Sequence, residues 1–460
     1  MTELVEARVS AATRPAKGEQ PRPSPLLVGA VAAILLVIAT VMMLRRVEPF
    51  VNWFYISAWY PTLLILDAAV AARTGRYYLI SRPRFAISLL GWSAVLWFFF
   101  ELINFRVANW YYVFLPPQRG LRWFGTTISF MTVLPAIFLA ERWLTARGAF
   151  DALRWPGFDV RPQLLRGIWL TGVAFVVLSL IWPRLFFPMI WGALTLLLEP
   201  WNYSRDPARS LIGDLSAGRP GRLLRFVTGG LAIGFIWELY NIESRSKWIY
   251  TVPGFEDFKL FEMPLLGFAG FPIFALDCFV VYQSLVLLGI AIPASVRSSP
   301  AFSGLRTRRT LVAVPAAIAF SLAILFGMDR WTTDSLRPGL DELWVLAPAA
   351  REQLAVTPYQ DLFALSSAQP EDVAQAANVD LEKAREWVAA AELVSFRGIG
   401  TTNGRLLWEA GIRSLPALAA ADHRSLAADL QAMTERPRAA TPAKVRVWVG
   451  AAQRAVEARS

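Results

Sequence analysis

Leu26 to Leu44 reads LLVGAVAAILLVIATVMML, nineteen almost wholly apolar residues that stop at Arg45 and Arg46. As a helix rising 1.5 Å per residue this run is about 29 Å long, enough to cross the hydrocarbon of a bilayer. Before it stands a polar, basic tail, residues 1–25, with Arg8, Arg14, Lys17 and Arg22, which reads as disordered. No small-residue cleavage site follows the apolar run, so it reads as a signal anchor and not as a cleaved peptide.

Working outward, further apolar stretches fall near 50–72, 85–105, 124–141, 165–182, 185–201, 224–241, 265–292 and 310–327. The fifth and sixth are joined only by Trp182, Pro183 and Arg184. The expected fold is therefore all-α: a polytopic bundle of about nine transmembrane helices over residues 26–328. A small soluble helical domain follows at 340–455. Composition agrees, with 55% hydrophobic residues, 18% charged, 19 Trp and 30 Phe.

The net charge of +11 suits a partner of nucleic acid, but in a membrane chain arginine first collects in cytoplasmic loops. Loops on the side of the N-terminus carry more than twice the Lys and Arg of the opposite loops. That bias puts the N-terminus in the cytoplasm of a bacterial inner membrane. Nine spans then export the C-terminal domain.

One cysteine, Cys278, and one histidine, His423, exclude a disulfide framework, a Ser-His-Asp triad and histidine-ligated metals from the membrane part. No cofactor and no metal is implied.

FFFELINFRVANWYYVFLPP (98–117) and GFIWELYNIESRSKWIYTVP (234–253) align with each other. Glu101 falls on Glu238 and Asn104 on Asn241. One inserted residue later Trp110 falls on Trp248 and Tyr112 on Tyr250; Pro116 then meets Pro253, and Pro135 meets Pro272. Both copies run the same way, which is the pattern of a parallel internal repeat. Past its proline each second helix carries an acid, Glu141 or Asp277, the latter about 18 Å into its span. A third ExxN string, Glu199 to Asn202, reads as an interfacial cap.

A carboxylate and an amide at i and i+3 share one helix face and can hold one ligand. Intramembrane carboxylates are costly, so Glu101, Asn104, Glu238, Asn241 and Asp277, with Trp110 and Trp248, are the candidate ligand-binding residues. The plainer reading makes them interfacial acids within an aromatic belt. A desolvated carboxyl can protonate an alkene or leaving group, relay protons in a transporter, or hold a lipid amine. Which residues are catalytic stays open.

ExxN, WxY and the acid before proline in FEMP (Glu262 to Pro264) loosely resemble the membrane-embedded lycopene cyclases, although that family's paired-acid PxEE string is absent. The resemblance implies an isoprenoid-like substrate.

In the C-terminal region KAREWVAAA (383–391) matches KVRVWVGAA (444–452), and LFAL (362–365) matches LPAL (415–418), as in two tandem units. LVSFRGIGTTNGRLLWEAGIRSLPALA carries a helix-hairpin-helix pattern. Residues 340–455 resemble an uncharacterised bacterial family of tandem helix-hairpin-helix domains, with Gly398, Ile399 and Gly400 as the hairpin and Gly411 and Ile412 as the second turn. In nucleic-acid-binding relatives hairpin amides and basic residues grip phosphate, a role open to Arg397, Arg405 and Arg413. The first unit reads WVLAPAA where its hairpin would fall, and an exported domain meets no DNA. Protein docking or self-association through Gly398, Gly400, Arg397 and Arg405 is favoured over nucleic acid.

The leading expectation is a membrane protein that binds or processes a lipid or isoprenoid-like amphiphile. A proton- or cation-coupled transporter, and an anchor presenting the C-terminal domain to a partner, are the alternatives.

Overall fold

A computed structural model describes residues 23–252, 259–294, 303–435 and 439–458. The basic tail up to Arg22 lies outside the described residues, as does the Pro116–Pro253 pairing. The chain divides into two compact units. The first takes in the residues up to Val107, Phe124–Ser244 and Leu266–Leu325. The second takes in Ala108–Trp123, Arg245–Leu265 and Phe326–Ser460.

The first unit is a helix bundle. In chain order it comprises α1 (Pro25–Leu44), α2 (Phe50–Thr74), α3 (Pro83–Val107), the part of α4 (Arg119–Phe130) from Phe124 on, α5 (Val133–Ala146), α6 (Pro162–Ile181), α7 (Ala193–Arg205), the short α8 (Leu211–Ser216), α9 (Gly221–Glu243), α10 (Gly270–Leu287) and most of α11 (Ser303–Trp331). Among the described residues eight helical segments are long and apolar enough to cross a membrane, α4 and α5 counting as one. Their outward faces are apolar: Leu26 is 83% exposed, Ile87 70% and Val312 72%.

The expected sixth span is where the structure departs from nine continuous helices. Residues 185–201 do not form one helix. A single turn, Pro183–Phe186, is followed by a 3₁₀ turn, Phe187–Ile190, and only then by the thirteen residues of α7. Pro183 and Pro188 remove backbone donors, and Gly192 sits at φ +88°, a left-handed conformation that a side chain resists.

Close approach of α3 to α5 and of α9 to α10 is allowed by small residues at matching places. The Ser93 hydroxyl donates to the Phe130 carbonyl at 2.6 Å and accepts from the Leu134 amide at 3.0 Å. Gly230 stands where Ser93 stands in the aligned sequence. A Cβ there would lie 2.8 Å from the Phe271 carbonyl oxygen.

The second unit corrects the all-α expectation. The two aromatic segments that carry the candidate ligand residues Trp110 and Trp248 form β1 (Trp110–Val113) and β2 (Lys247–Tyr250), paired antiparallel with Trp110 opposite Tyr250 and Tyr112 opposite Trp248. A second ribbon joins β3 (Lys259–Leu260) to β4 (Met263–Pro264). Thr333 and Leu336, just past α11, bridge in parallel to Tyr112 and Leu115.

The remaining helices are α12 (Pro348–Ala355), α13 (Leu362–Ser366), α14 (Pro370–Ala377), α15 (Leu381–Ser395), α16 (Gly400–Glu409), α17 (Leu415–Ala420), α18 (His423–Ala432) and α19 (Pro442–Glu457). The matched strings start alike. Asp380 and Thr441 cap α15 and α19 by accepting from the amides of Lys383 and Lys444, and Asp361 and Ser414 cap α13 and α17. Trp387 and Trp448 are both buried. The ribbon shares a core with α19, in which Tyr111, Val113, Phe114 and Ile249 pack with Val447, and the Trp448 indole N–H donates to the Tyr111 hydroxyl at 3.3 Å.

Candidate functional site

The buried carboxylates of the first unit divide by what they accept. Asp67 takes the amides of Tyr78, Leu79 and Ile80. Glu199 takes the Ser210 hydroxyl at 2.6 Å and the Ile212 amide at 2.9 Å, while Asn202 bonds the Val280 carbonyl and the Ser284 hydroxyl. Asp277 takes the amides of Gly192 and Thr195 at 2.8 and 2.7 Å and the Thr195 hydroxyl at 2.6 Å. All three satisfy backbone donors at chain turns or helix starts. Asp277, a candidate ligand group from the sequence, is the cap that lets α7 begin inside the bundle.

Glu101 and Glu238 sit differently. Each lies in the last third of a long helix, wholly buried, with the equally buried Asn104 or Asn241 one turn on. The Trp97 indole donates to Glu101 at 3.2 Å. Tyr55 lies within the electrostatic reach of Glu238, and two residues on, Tyr240 shares a 2.8 Å hydrogen bond with Thr62.

Aromatic rings connect the two carboxylates. Phe274 meets Trp97 at 5.6 Å, Phe100 at 5.3 Å and Trp237 at 6.0 Å between ring centres. Phe100 stacks on Trp191 at 5.1 Å, and Trp237 meets Trp59 at 5.9 Å. Rings beside buried acids offer π faces that stabilise a cation. Trp191 is the residue before Gly192, so the break in the sixth segment borders this cluster. Sequence reasoning missed Gly192, Thr195 and Trp191; the signal was the spacing of Pro183, Pro188 and Gly192.

Trp110 and Trp248 are not part of this cluster. They belong to the ribbon of the second unit.

The hairpin residues are turned inward. Gly398, at φ +72°, packs against the Val113 side chain, and Gly400 packs against Ser335, whose hydroxyl donates to the Gly398 carbonyl at 2.9 Å. Arg397 donates twice to Glu262, at 2.7 and 2.6 Å, and Lys247 reaches the same carboxylate at 3.1 Å. Burial pushes the Glu262 carboxyl up, but Lys247 and Arg397 outweigh it and hold the group below its ordinary range. Arg405 is exposed and pairs with Glu409 of its own helix at 2.9 Å. The acid of FEMP, read only as a residue before proline, is thus the anchor of the hairpin.

Among the described residues no group of three or more His, Cys, Asp or Glu is placed to hold a metal ion. No curated protein and no solved structure matches the chain. Residues 351–455 match the model of a family described as a domain of unknown function, DUF4332, and that match covers the C-terminal helical region alone.

Proposed function

We propose that this chain is a multi-pass integral membrane protein that binds or processes a lipid or isoprenoid-like amphiphile at Glu101, Asn104, Glu238 and Asn241. The observation that carries the reading is the pair of wholly buried carboxylates, one turn from matched buried amides and joined by a continuous set of aromatic rings. A carboxyl removed from water on an apolar helix is retained at a cost that structure alone does not require. Asp277 belongs to the architecture instead, because its oxygens are occupied by Gly192 and Thr195.

The apolar outward faces of the long helices support embedding in lipid. Connectivity supports nine crossings. β1 starts three residues after α3, β2 starts four residues after α9, and the strands are hydrogen-bonded, so the C-terminal ends of α3 and α9 lie on one side of the bilayer. Between them run three long helical segments, an odd number: Arg119–Ala146, α6 and α9 itself. The broken stretch 183–205 supplies the fourth crossing. With the N-terminus in the cytoplasm, α11 then carries the C-terminal region to the opposite side.

The register of β1 on β2, in which Trp110 and Trp248 take equivalent places, supports reading the two segments as a parallel repeat. The C-terminal region reads as a tandem helix-hairpin-helix whose second hairpin docks within its own chain, which argues against phosphate gripping by Gly398 and Gly400.

The test is lipid extraction and mass spectrometry of the purified protein. Glu101→Gln with Glu238→Gln is expected to leave the fold intact and abolish retention of a co-purifying amphiphile. Undiminished retention in the double variant would sink the reading. A second reading, a proton- or cation-coupled transporter, is favoured by the interrupted segment before α7, since half-helix ends inside a bundle are where such proteins hold substrates. Proteoliposome flux indifferent to a pH gradient and to Glu101→Gln would count against it.

A further inference from the structure

A polar cavity of about 440 Å³ lies inside the second unit, between the C-terminal end of α11, the segment after it, and the starts of α16 and α19. Two of its three lining cations, Arg122 and Lys444, are spent, and the third, Arg330, is exposed. The Arg122 guanidinium donates to Asp329 at 2.7 and 2.9 Å and to the carbonyls of Pro116 and Pro117 at 2.8 and 2.9 Å. Lys444 is paired with Asp334 and lies 4.9 Å from the centre of the Tyr111 ring.

Two acceptors in the wall are not spent. Asn403 is only 2% exposed, and its amide nitrogen donates to Asp334 and to the Ile399 carbonyl, both at 3.1 Å. Both partners are acceptors, so the orientation of the amide is determined by chemistry and its oxygen faces the other way. That oxygen meets no protein donor, and neither does the buried hydroxyl of Thr333. At the rim Glu342 adds a negative charge while accepting from the Thr401 hydroxyl at 2.9 Å.

We propose that this cavity binds a primary ammonium group, carried by a small amine or by an aminolipid headgroup. An ammonium has three donors, no acceptor and a positive charge, which matches the Asn403 oxygen, the Thr333 oxygen and the Glu342 carboxylate. An anion finds no uncommitted cation in Arg122 or Lys444. The cavity falls within the usual size of a small-molecule site. It stands at the C-terminal end of an apolar helix, where a headgroup arrives without leaving its bilayer. The proposal is independent of Glu101 and Glu238.

The experiment titrates ethanolamine into the full chain in detergent micelles by calorimetry, with ethylene glycol as the uncharged comparison. Saturable binding of ethanolamine and not of the glycol is expected, weakened about tenfold or more by Thr333→Val and by Glu342→Gln. Thr333→Val removes a hydroxyl that bonds nothing in the chain, so thermal stability without amine should be unchanged or raised. Absence of saturable binding, equal binding of the glycol, or full affinity in both variants would overturn the proposal. Repeating the titration in nanodiscs separates the sources. Ethanolamine binding that survives in phosphatidylglycerol and vanishes with phosphatidylethanolamine assigns the site to the headgroup; binding in both assigns it to a free amine.

Discussion

Arg397 and Glu262, 135 residues apart in the chain, meet through two parallel hydrogen bonds of 2.7 and 2.6 Å. The pair ties the hairpin between α15 and α16 to the loop that follows β3, and Lys247 of β2 completes it. Glu262 is wholly buried and the Arg397 side chain is 20% exposed, so the carboxylate depends on its cations for compensation.

Glu262→Gln removes the carboxylate that two part-buried cations share and is expected to destabilise the second unit by about 2–4 kcal/mol. Because the folded carboxyl lies below its ordinary value, its contribution is fully present above that ordinary value. It is lost as the pH falls through the folded one. Denaturant melts in detergent from pH 7 down to pH 3 should show an acid arm in the wild type that is shallower in Glu262→Gln. Identical arms would remove Glu262 from the account.

Asp277→Asn replaces a carboxylate that accepts three hydrogen bonds by an amide with one acceptor oxygen. The expected loss is about 2–3 kcal/mol, with Thr195→Val costing about 1 kcal/mol. Limited proteolysis should cut the variant faster between Trp182 and Gly192. A variant as stable as the wild type that nonetheless loses its amphiphile would return Asp277 to the ligand site.

Two glycines of the C-terminal region separate strain from contact. Gly411, at φ +88°, has open space where a Cβ would stand, so Gly411→Ala carries backbone strain alone, about 1 kcal/mol. Gly398→Ala adds a collision with Val113 and should cost about 3 kcal/mol or more. Equal melting temperatures for the two variants would contradict the packing of the hairpin on β1.

The nine-crossing path predicts opposite sides for Arg184 and Asp206. The single native thiol, Cys278, is buried, so the wild type should stay unlabelled by a membrane-impermeant maleimide. Arg184→Cys should label from outside intact cells, and Asp206→Cys only after the membrane is opened. Labelling of both from one side would reduce the crossings to eight and return the C-terminal region to the side of the N-terminus.

Much of the bundle was legible because helices long and apolar enough to cross a membrane, such as Leu26–Leu44 or Leu311–Phe326, announce themselves by composition. Glu101, Asn104, Glu238 and Asn241 stood out because two aligned strings carried them, and all four are buried. Asp277 was visible as a deep acid, but its purpose was not, because its partners Gly192 and Thr195 come from a segment 82 to 85 residues away. The WxY strings left their local structure open. Trp and Tyr suit a membrane interface and a β-strand equally well, and only the register between β1 and β2 decides.

By itself the sequence determined that most of the chain is helical, where the long apolar helices run, and that a further helical region follows them. Those properties are local, set by hydropathy, proline and glycine within a few turns. Tertiary structure alone decided that the hairpin faces inward onto Val113, that Glu262 holds Arg397, and that a helix starts inside the bundle on Asp277. Each of these rests on buried polar or charged groups finding partners far away in the chain, a requirement that no local pattern encodes.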